Sequence, residues 1–165
     1  MSTVLHSVYD LKNQAEVFNE KLVVTSGGFD PLHVGHLRCL IDSADIARKM
    51  SVKTKLAVIV NGDNFLLRKK GYAFMPESER IEIISNINGV DYVVPWDDGT
   101  QNVIGALNVL KPIVFTKGGD RNLPEEIPEL ETCNAIKCRV IVGVGGGKIQ
   151  SSSNLLKSLI SNNIL

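Results

Sequence analysis

The sequence predicts an α/β domain built on a five-stranded parallel sheet, with one extra helix at its N-terminus. Two patterns carry this. Short apolar runs of strand length alternate along the chain with stretches in which apolar residues recur every three or four positions. Each run also ends in a turn-forming or polar segment rather than in a tight hairpin. Strands separated by helices pair in parallel through right-handed crossovers, and 165 residues are about one domain's worth of chain.

The elements follow in order. Residues 1–20 form the N-terminal extension. Leu5, Val8, Leu11, Ala15 and Phe18 lie on one helical face, packed on the domain or on a second subunit, and a homodimer is expected. Residues 21–165 form the main domain. Its first strand is Leu22-Val23-Val24-Thr25, which runs into Ser26-Gly27-Gly28. A helix follows from Val34, with Leu37, Leu40, Ile41, Ala44 and Ala47 on its buried side and Arg48 and Lys49 at the end where cations suit the helix dipole. The second strand, Leu56-Ala57-Val58-Ile59-Val60, stops at Asn61-Gly62-Asp63. Residues 64–75 read as irregular and hold the basic triplet Arg68-Lys69-Lys70. Pro76 opens a helix with Glu77 and Glu79 in its first turn, Ile81, Ile84 and Ile87 as its stripe and Gly89 at its close. Asp91-Tyr92-Val93-Val94 is the third strand, residues 101–110 a helix, and Ile113-Val114-Phe115-Thr116 the fourth strand. Residues 121–131 read as a loop with a short helix. Arg139-Val140-Ile141-Val142 is the fifth strand, and a hydroxyl-capped terminal helix follows Ser151-Ser152-Ser153.

Bulk composition narrows the function. Lys plus Arg and Asp plus Glu both total 18, a balance that argues against a nucleic-acid partner. No apolar run approaches the roughly 20 residues that cross a bilayer, so no membrane partner is expected. Cys39, Cys133 and Cys138 are odd in number and form no CxxC pair. They read as buried thiols in a reducing cytoplasm rather than as a disulfide or zinc framework.

In a parallel sheet the ligand lies beyond the carboxyl ends of the strands, and that is where the informative residues fall. The first strand ends in two glycines that let a ligand approach the backbone, and the next helix begins within Phe29-Asp30-Pro31-Leu32-His33-Val34-Gly35-His36. A helix N-terminus is an anion site, and His33 and His36, three apart, can both donate to phosphate oxygens as charge grows in a transition state. No third ligand sits nearby, so no protein-held metal is expected. Asp30 can orient the loop, assist a magnesium ion or serve as a structural cap. Arg80 reads either as a surface ion pair with Glu77 or Glu79 or as an acceptor contact.

The stretch from Gly27 to His36 resembles the HxGH motif of the cytidylyltransferase-like nucleotidyltransferases, and the resemblance extends over residues 22–160. Asn61-Gly62-Asp63, Arg68-Lys69-Lys70, Glu79-Arg80, residues 90–94 and Lys117-Gly118-Gly119-Asp120 fall in the order seen in heptose-phosphate adenylyltransferases, with glycerol-3-phosphate cytidylyltransferases next. This implies a Rossmann-like three-layer fold with strand order 3-2-1-4-5. It also implies transfer of a nucleoside monophosphate from NTP, ATP favoured, to a phosphorylated sugar, with magnesium accompanying the triphosphate. The CTP-dependent alternative acts on glycerol 3-phosphate or another polyol phosphate. The alternative from another class is a nucleotide-binding module without turnover. His33, His36 and Lys70 are the expected catalytic residues. Gly28, Phe29, Lys117, Gly118, Asp120, Ser151, Ser152 and Ser153 would hold the nucleotide together with the histidines. Asn61, Asp63, Arg68, Lys69 and Arg80 would hold the acceptor. Relatives of the cytidylyltransferase type often carry an arginine shortly before the late serine motif. Here that place is taken by Gly145-Gly146-Gly147-Lys148, where Lys148 offers a point charge without arginine's fork.

Overall fold

The computed structural model describes residues 1–119, 123–147 and 150–161. Among these, six strands form a single parallel sheet. They are β1 (Thr3–Val4), β2 (Lys21–Gly27), β3 (Thr54–Asn61), β4 (Tyr92–Trp96), β5 (Val114–Gly118) and β6 (Arg139–Val144), in the order β1-β4-β3-β2-β5-β6. The helices are α1 (Val8–Val17), α2 (Val34–Met50), α3 (Asp63–Lys70), α4 (Glu77–Ser85), α5 (Ile104–Leu110), α6 (Leu130–Ala135) and α7 (Ser152–Ser161), with a 3₁₀ turn at Pro124–Glu126. No helix among the described residues is long and apolar enough to cross a membrane.

The sheet is buried on both faces, which is why its strands read as continuous apolar runs rather than alternating ones. Leu22, Val24, Ala57, Ile59, Tyr92, Val94 and Phe115 face α1, α5 and α6, meeting Val8, Leu11, Ala106, Leu107 and Cys133. Val23, Leu56, Val58, Val60, Val93 and Val114 face α2 and α4, meeting Leu40, Ala44, Ala47 and Ile84. Each fully buried side chain of this size contributes about 1.5–3 kcal/mol. The three cysteines are buried and free, as their spacing suggests.

The structure corrects the expected architecture in two places. The sheet has six strands, not five: Thr3 and Val4 pair with Tyr92 and Val93 and add a short edge strand. Of the two seats expected for the N-terminal helix, α1 takes the domain: Val8, Leu11 and Ala15 join the core beneath β4 and α5, while Phe18 stays exposed. Residues 64–75 are not irregular throughout. Residues 64–70 belong to α3, which Gly71 closes in a left-handed conformation at φ 84°. The order of the inner five strands, β4-β3-β2-β5-β6, is the 3-2-1-4-5 that the resemblance implies.

Chain order reverses between β2 and β5, so the sheet opens a crevice at the carboxyl ends of these two strands. Buried hydroxyls fix its width. Thr25 Oγ1 donates to the Thr116 carbonyl at 3.0 Å, and Ser43 of α2 lies 2.7 Å from Thr116 Oγ1, tying both strands to the helix above them.

Candidate active site

The crevice holds a cavity of about 400 Å³. Ser26, Gly27 and Gly28 line it from the end of β2, His33, Gly35, His36 and Cys39 from α2 and its cap, and Lys117, Gly118 and Gly119 from the end of β5. Gly145, Gly146 and Gly147 close it beyond β6, and Gln150, Ser151 and Ser152 at the start of α7. Two helix N-termini thus converge on one space, each bringing the partial positive charge of a helix start.

His33 is the N-cap of α2, and its Nδ1 accepts the Gly35 N–H at 3.1 Å. The His33 N–H in turn donates to His36 Nδ1 at 3.3 Å. With both Nδ1 atoms engaged as acceptors, the neutral rings carry their proton on Nε2, the nitrogen left to meet a ligand. The rings stack at a centroid distance of 3.8 Å, and the edge of Phe29 packs against His36 at 5.3 Å. Burial pushes His36 down to about 4, helped by the charges that His33 and Lys70 can carry, and burial also lowers His33. Near neutral pH the site therefore presents two uncharged N–H donors. Gly35 leaves room for this pair: a β-carbon there would lie 2.9 Å from His33 Cε1 and tilt the ring. Gly145, at φ 90°, lets its loop pass over α2, where a β-carbon would stand 2.6 Å from the Cys39 nitrogen.

Asp30 sits under this loop. It is buried, accepting from the Phe74 and Met75 N–H groups at 2.8 and 2.6 Å and pairing with Lys70 Nζ at 2.8 Å. Burial alone would raise its carboxyl, but these contacts outweigh burial and hold it below the usual carboxylate range. Of the roles open to Asp30, its partners fill the structural ones, orienting the loop and capping the Phe74 and Met75 N–H groups. Among the described residues no cluster of three His, Cys, Asp or Glu could hold a metal ion.

The other expected site residues divide. Gly28, Phe29, Lys117, Gly118, Ser151 and Ser152 join the histidines around the cavity, while Ser153 is exposed and outside it. Asp120 and Lys148 lie outside the described residues. Of the basic triplet, Lys69 lines the cavity. Lys70 is held on Asp30, also donating to its carbonyl at 2.7 Å, and Arg68 turns toward Asp97 and the Thr100 carbonyl. The expectation of a catalytic Lys70 thus meets a lysine committed to a structural pair. Asn61 lines a neighbouring chamber, and Asp63 pairs with Arg80 at 2.6 Å. Arg80 is neither a surface ion pair nor a cavity residue. It is 0% exposed and donates to the carbonyls of Met75, Gly28 and Asn61 at 3.0, 2.8 and 2.6 Å. It pins the ends of β2 and β3 to α4, and so acts on the site through the backbone it holds.

A cytidylyltransferase-like family profile matches residues 24–154, from the middle of β2 into α7 and across every wall of the cavity. The chain belongs to this family. Membership carries the enzyme class with it, nucleotidyltransferase. Among sequence relatives of this cytidylyltransferase-like chain, the bifunctional protein HldE of Hahella chejuensis is 36% identical over 110 residues, covering 66% of this chain and 21% of that protein. The bifunctional protein HldE of Alkalilimnicola ehrlichii is 36% identical over 127 residues, covering 75% and 24%. The chain thus matches about a fifth to a quarter of the length of these relatives. A lipopolysaccharide core biosynthesis protein from Thermoplasma volcanium superposes with a TM-score of 0.59 at 24% identity, over 75% of this chain and 95% of that one. A macrolide-efflux protein from Streptococcus pneumoniae gives 0.64 at 16% identity, over 97% and 57%. Both structural likenesses speak to the fold alone.

Several lining residues carry no sequence signal of their own. Cys39 reads as core and Glu129 as part of a Pro/Glu-rich loop. Cys39 reaches the main cavity and Glu129 a neighbouring chamber only because the crossovers return there.

Proposed function

We propose that the chain transfers a nucleoside monophosphate from ATP to a phosphorylated sugar of the heptose 1-phosphate type, releasing pyrophosphate. The observation that carries this is the pair of neutral imidazoles with Nε2–H groups facing a cavity between two helix N-termini. The triphosphate lies along the starts of α2 and α7, with Ser151 and Ser152 toward its outer phosphates. Magnesium enters as part of the substrate, bound by triphosphate oxygens and water.

The acceptor is a phosphate monoester, ionised at neutral pH, and needs no general base. One of its oxygens attacks the α-phosphorus in line. The new P–O bond forms as the bond from that phosphorus to the bridging oxygen breaks, and the electron pair leaves with pyrophosphate. Charge grows on the oxygens of the transferred group and on the leaving group, where His33 and His36 can donate without prior reorganisation. Lys117, whose ammonium donates to Ser26 Oγ at 2.9 Å, and Lys69 stand where the main cavity meets the side chamber, suited to bring two phosphates together. The basic contact first looked for at Lys70 is reassigned to Lys69.

The preference for ATP and a heptose phosphate rests on the order of motifs shared with heptose-phosphate adenylyltransferases and on the HldE matches. A matrix of ATP and CTP against heptose 1-phosphate, hexose 1-phosphates and glycerol 3-phosphate, read by pyrophosphate release, tests it. ATP with heptose 1-phosphate is expected to give the highest kcat/KM. CTP with glycerol 3-phosphate as the best pair would move the chain to the polyol group. Nucleotide binding with no release from any acceptor would make it a binding module.

A further inference from the structure

Beside the main cavity lies a side chamber of about 120 Å³, and the two share Ser26, Gly27, Gly28, Lys69 and Lys117 in their walls. The rest of the chamber's polar lining has a different chemistry, with Asn61, Gln101, Asn102 and Glu129. Glu129, which precedes α6, is only 3% exposed. Its Oε1 accepts the Val103 N–H at 3.2 Å, while its Oε2 has no hydrogen-bond partner. Asn61 is 6% exposed and its Oδ1 is likewise unpartnered. Buried carboxylates are rare and buried polar atoms are nearly always paired, so two residues lining one chamber, each with an unpartnered acceptor, point to a ligand that donates hydrogen bonds.

The sign of the walls selects the ligand. A phosphate is repelled by Glu129, and a simple cation is repelled at the lysine side. A molecule with a phosphate at one end and hydroxyls at the other suits both. Resting on the nucleotidyl-transfer reading above, we propose that the side chamber takes the carbon skeleton of the acceptor, a polyhydroxylated phosphate ester, and that Glu129 sets acceptor specificity by accepting a hydrogen bond from one of its hydroxyls. The phosphate then lies toward Lys69 and Lys117, next to the α-phosphorus it attacks. A site built around a hydroxyl rejects the analogue that lacks it far more strongly than an apolar pocket rejects a missing methylene.

The test is steady-state kinetics of Glu129→Gln, which keeps an oxygen for the Val103 N–H and replaces the other acceptor by a donor. Heptose 1-phosphate and glycerol 3-phosphate serve as acceptors, each with analogues lacking one hydroxyl. The acceptor KM is expected to rise at least ~10-fold, the loss of a charge-assisted hydrogen bond, while the ATP KM stays within about twofold. In the unaltered protein one deoxy analogue should lose at least ~10-fold in kcat/KM, and Glu129→Gln should no longer tell it from the parent. A folded variant with an unchanged acceptor KM, or equal use of all analogues by the unaltered protein, overturns the assignment and leaves the transfer reaction standing. If the variant does not fold, the analogue series alone decides. Failure of the transfer reading shows instead as no pyrophosphate from any acceptor. Calorimetric binding of the same acceptors and analogues to the unaltered protein then decides the Glu129 contact.

Discussion

The two imidazoles that face the cavity are held by backbone N–H groups on one side and left with an N–H donor on the other, so their protonation is part of the design of the site. Burial favours the neutral ring, and His36 titrates near 4 rather than near the ordinary 6.5. The sign of the linkage follows. Between those values the unfolded chain binds the proton that the folded chain refuses, so the stability tied to His36 is complete above about 6.5 and is lost as pH falls toward 4. Denaturant titrations from pH 7 to pH 4 should show this decline, and His36→Gln should flatten it. A decline of equal slope in the variant would assign it to other groups. Asp30 and Asp97, held below their ordinary 3.8, act at lower pH. At this scale the sequence was readable where spacing is local: His33 and His36 share one turn of helix, and their common orientation follows from a separation of three. Lys69 and Lys70 could not be told apart, because their directions depend on a helix that residues 64–75 do not advertise.

Elements were legible in proportion to their apolar pattern. β2 and β3, buried on both faces, announce themselves as unbroken runs, and α2 as an apolar stripe, of which Leu40, Ala44 and Ala47 reach the core while Ile41 stays exposed. α3 has only Phe65 and Leu66 buried, adjacent in sequence and followed by the exposed Leu67, which fits no helical period. β1 is two exposed residues recruited by pairing to β4, and nothing local marks it. Arg80 belongs to this scale, since its partners come from positions 5, 19 and 52 residues away. Its place between Glu79 and Glu82 suggests a surface, and only the assembled strand ends make it a core residue. Arg80→Met should keep the volume and strand three carbonyls, costing ~3 kcal/mol or more in chemical denaturation. A loss below about 1 kcal/mol would mean that solvent takes over those carbonyls and that Arg80 does not hold the strand ends together.

At the scale of the whole molecule, the alternation of strands and helices sufficed for a parallel sheet, and a parallel sheet suffices to place a ligand at the carboxyl ends of its strands. The reversal between β2 and β5 is the step that residue patterns do not encode; the resemblance to nucleotidyltransferases implied it and the sheet order agrees. That reversal brings the α2 cap, the end of β5, the glycine-rich turn after β6 and the start of α7 around one cavity, although the first and last of these lie over a hundred residues apart. It also sets the side chamber against the cavity, with Lys69 and Lys117 in the walls of both.

The central claim is that the imidazole pair carries nucleotidyl transfer. The direct measurement is pyrophosphate release by His36→Ala beside the unaltered protein, with ATP and heptose 1-phosphate and with the fold checked by circular dichroism. A loss of at least ~10²-fold in kcat in a folded variant is the result this account predicts, the usual cost of removing a transition-state donor. Turnover within a few-fold of the unaltered protein would contradict it.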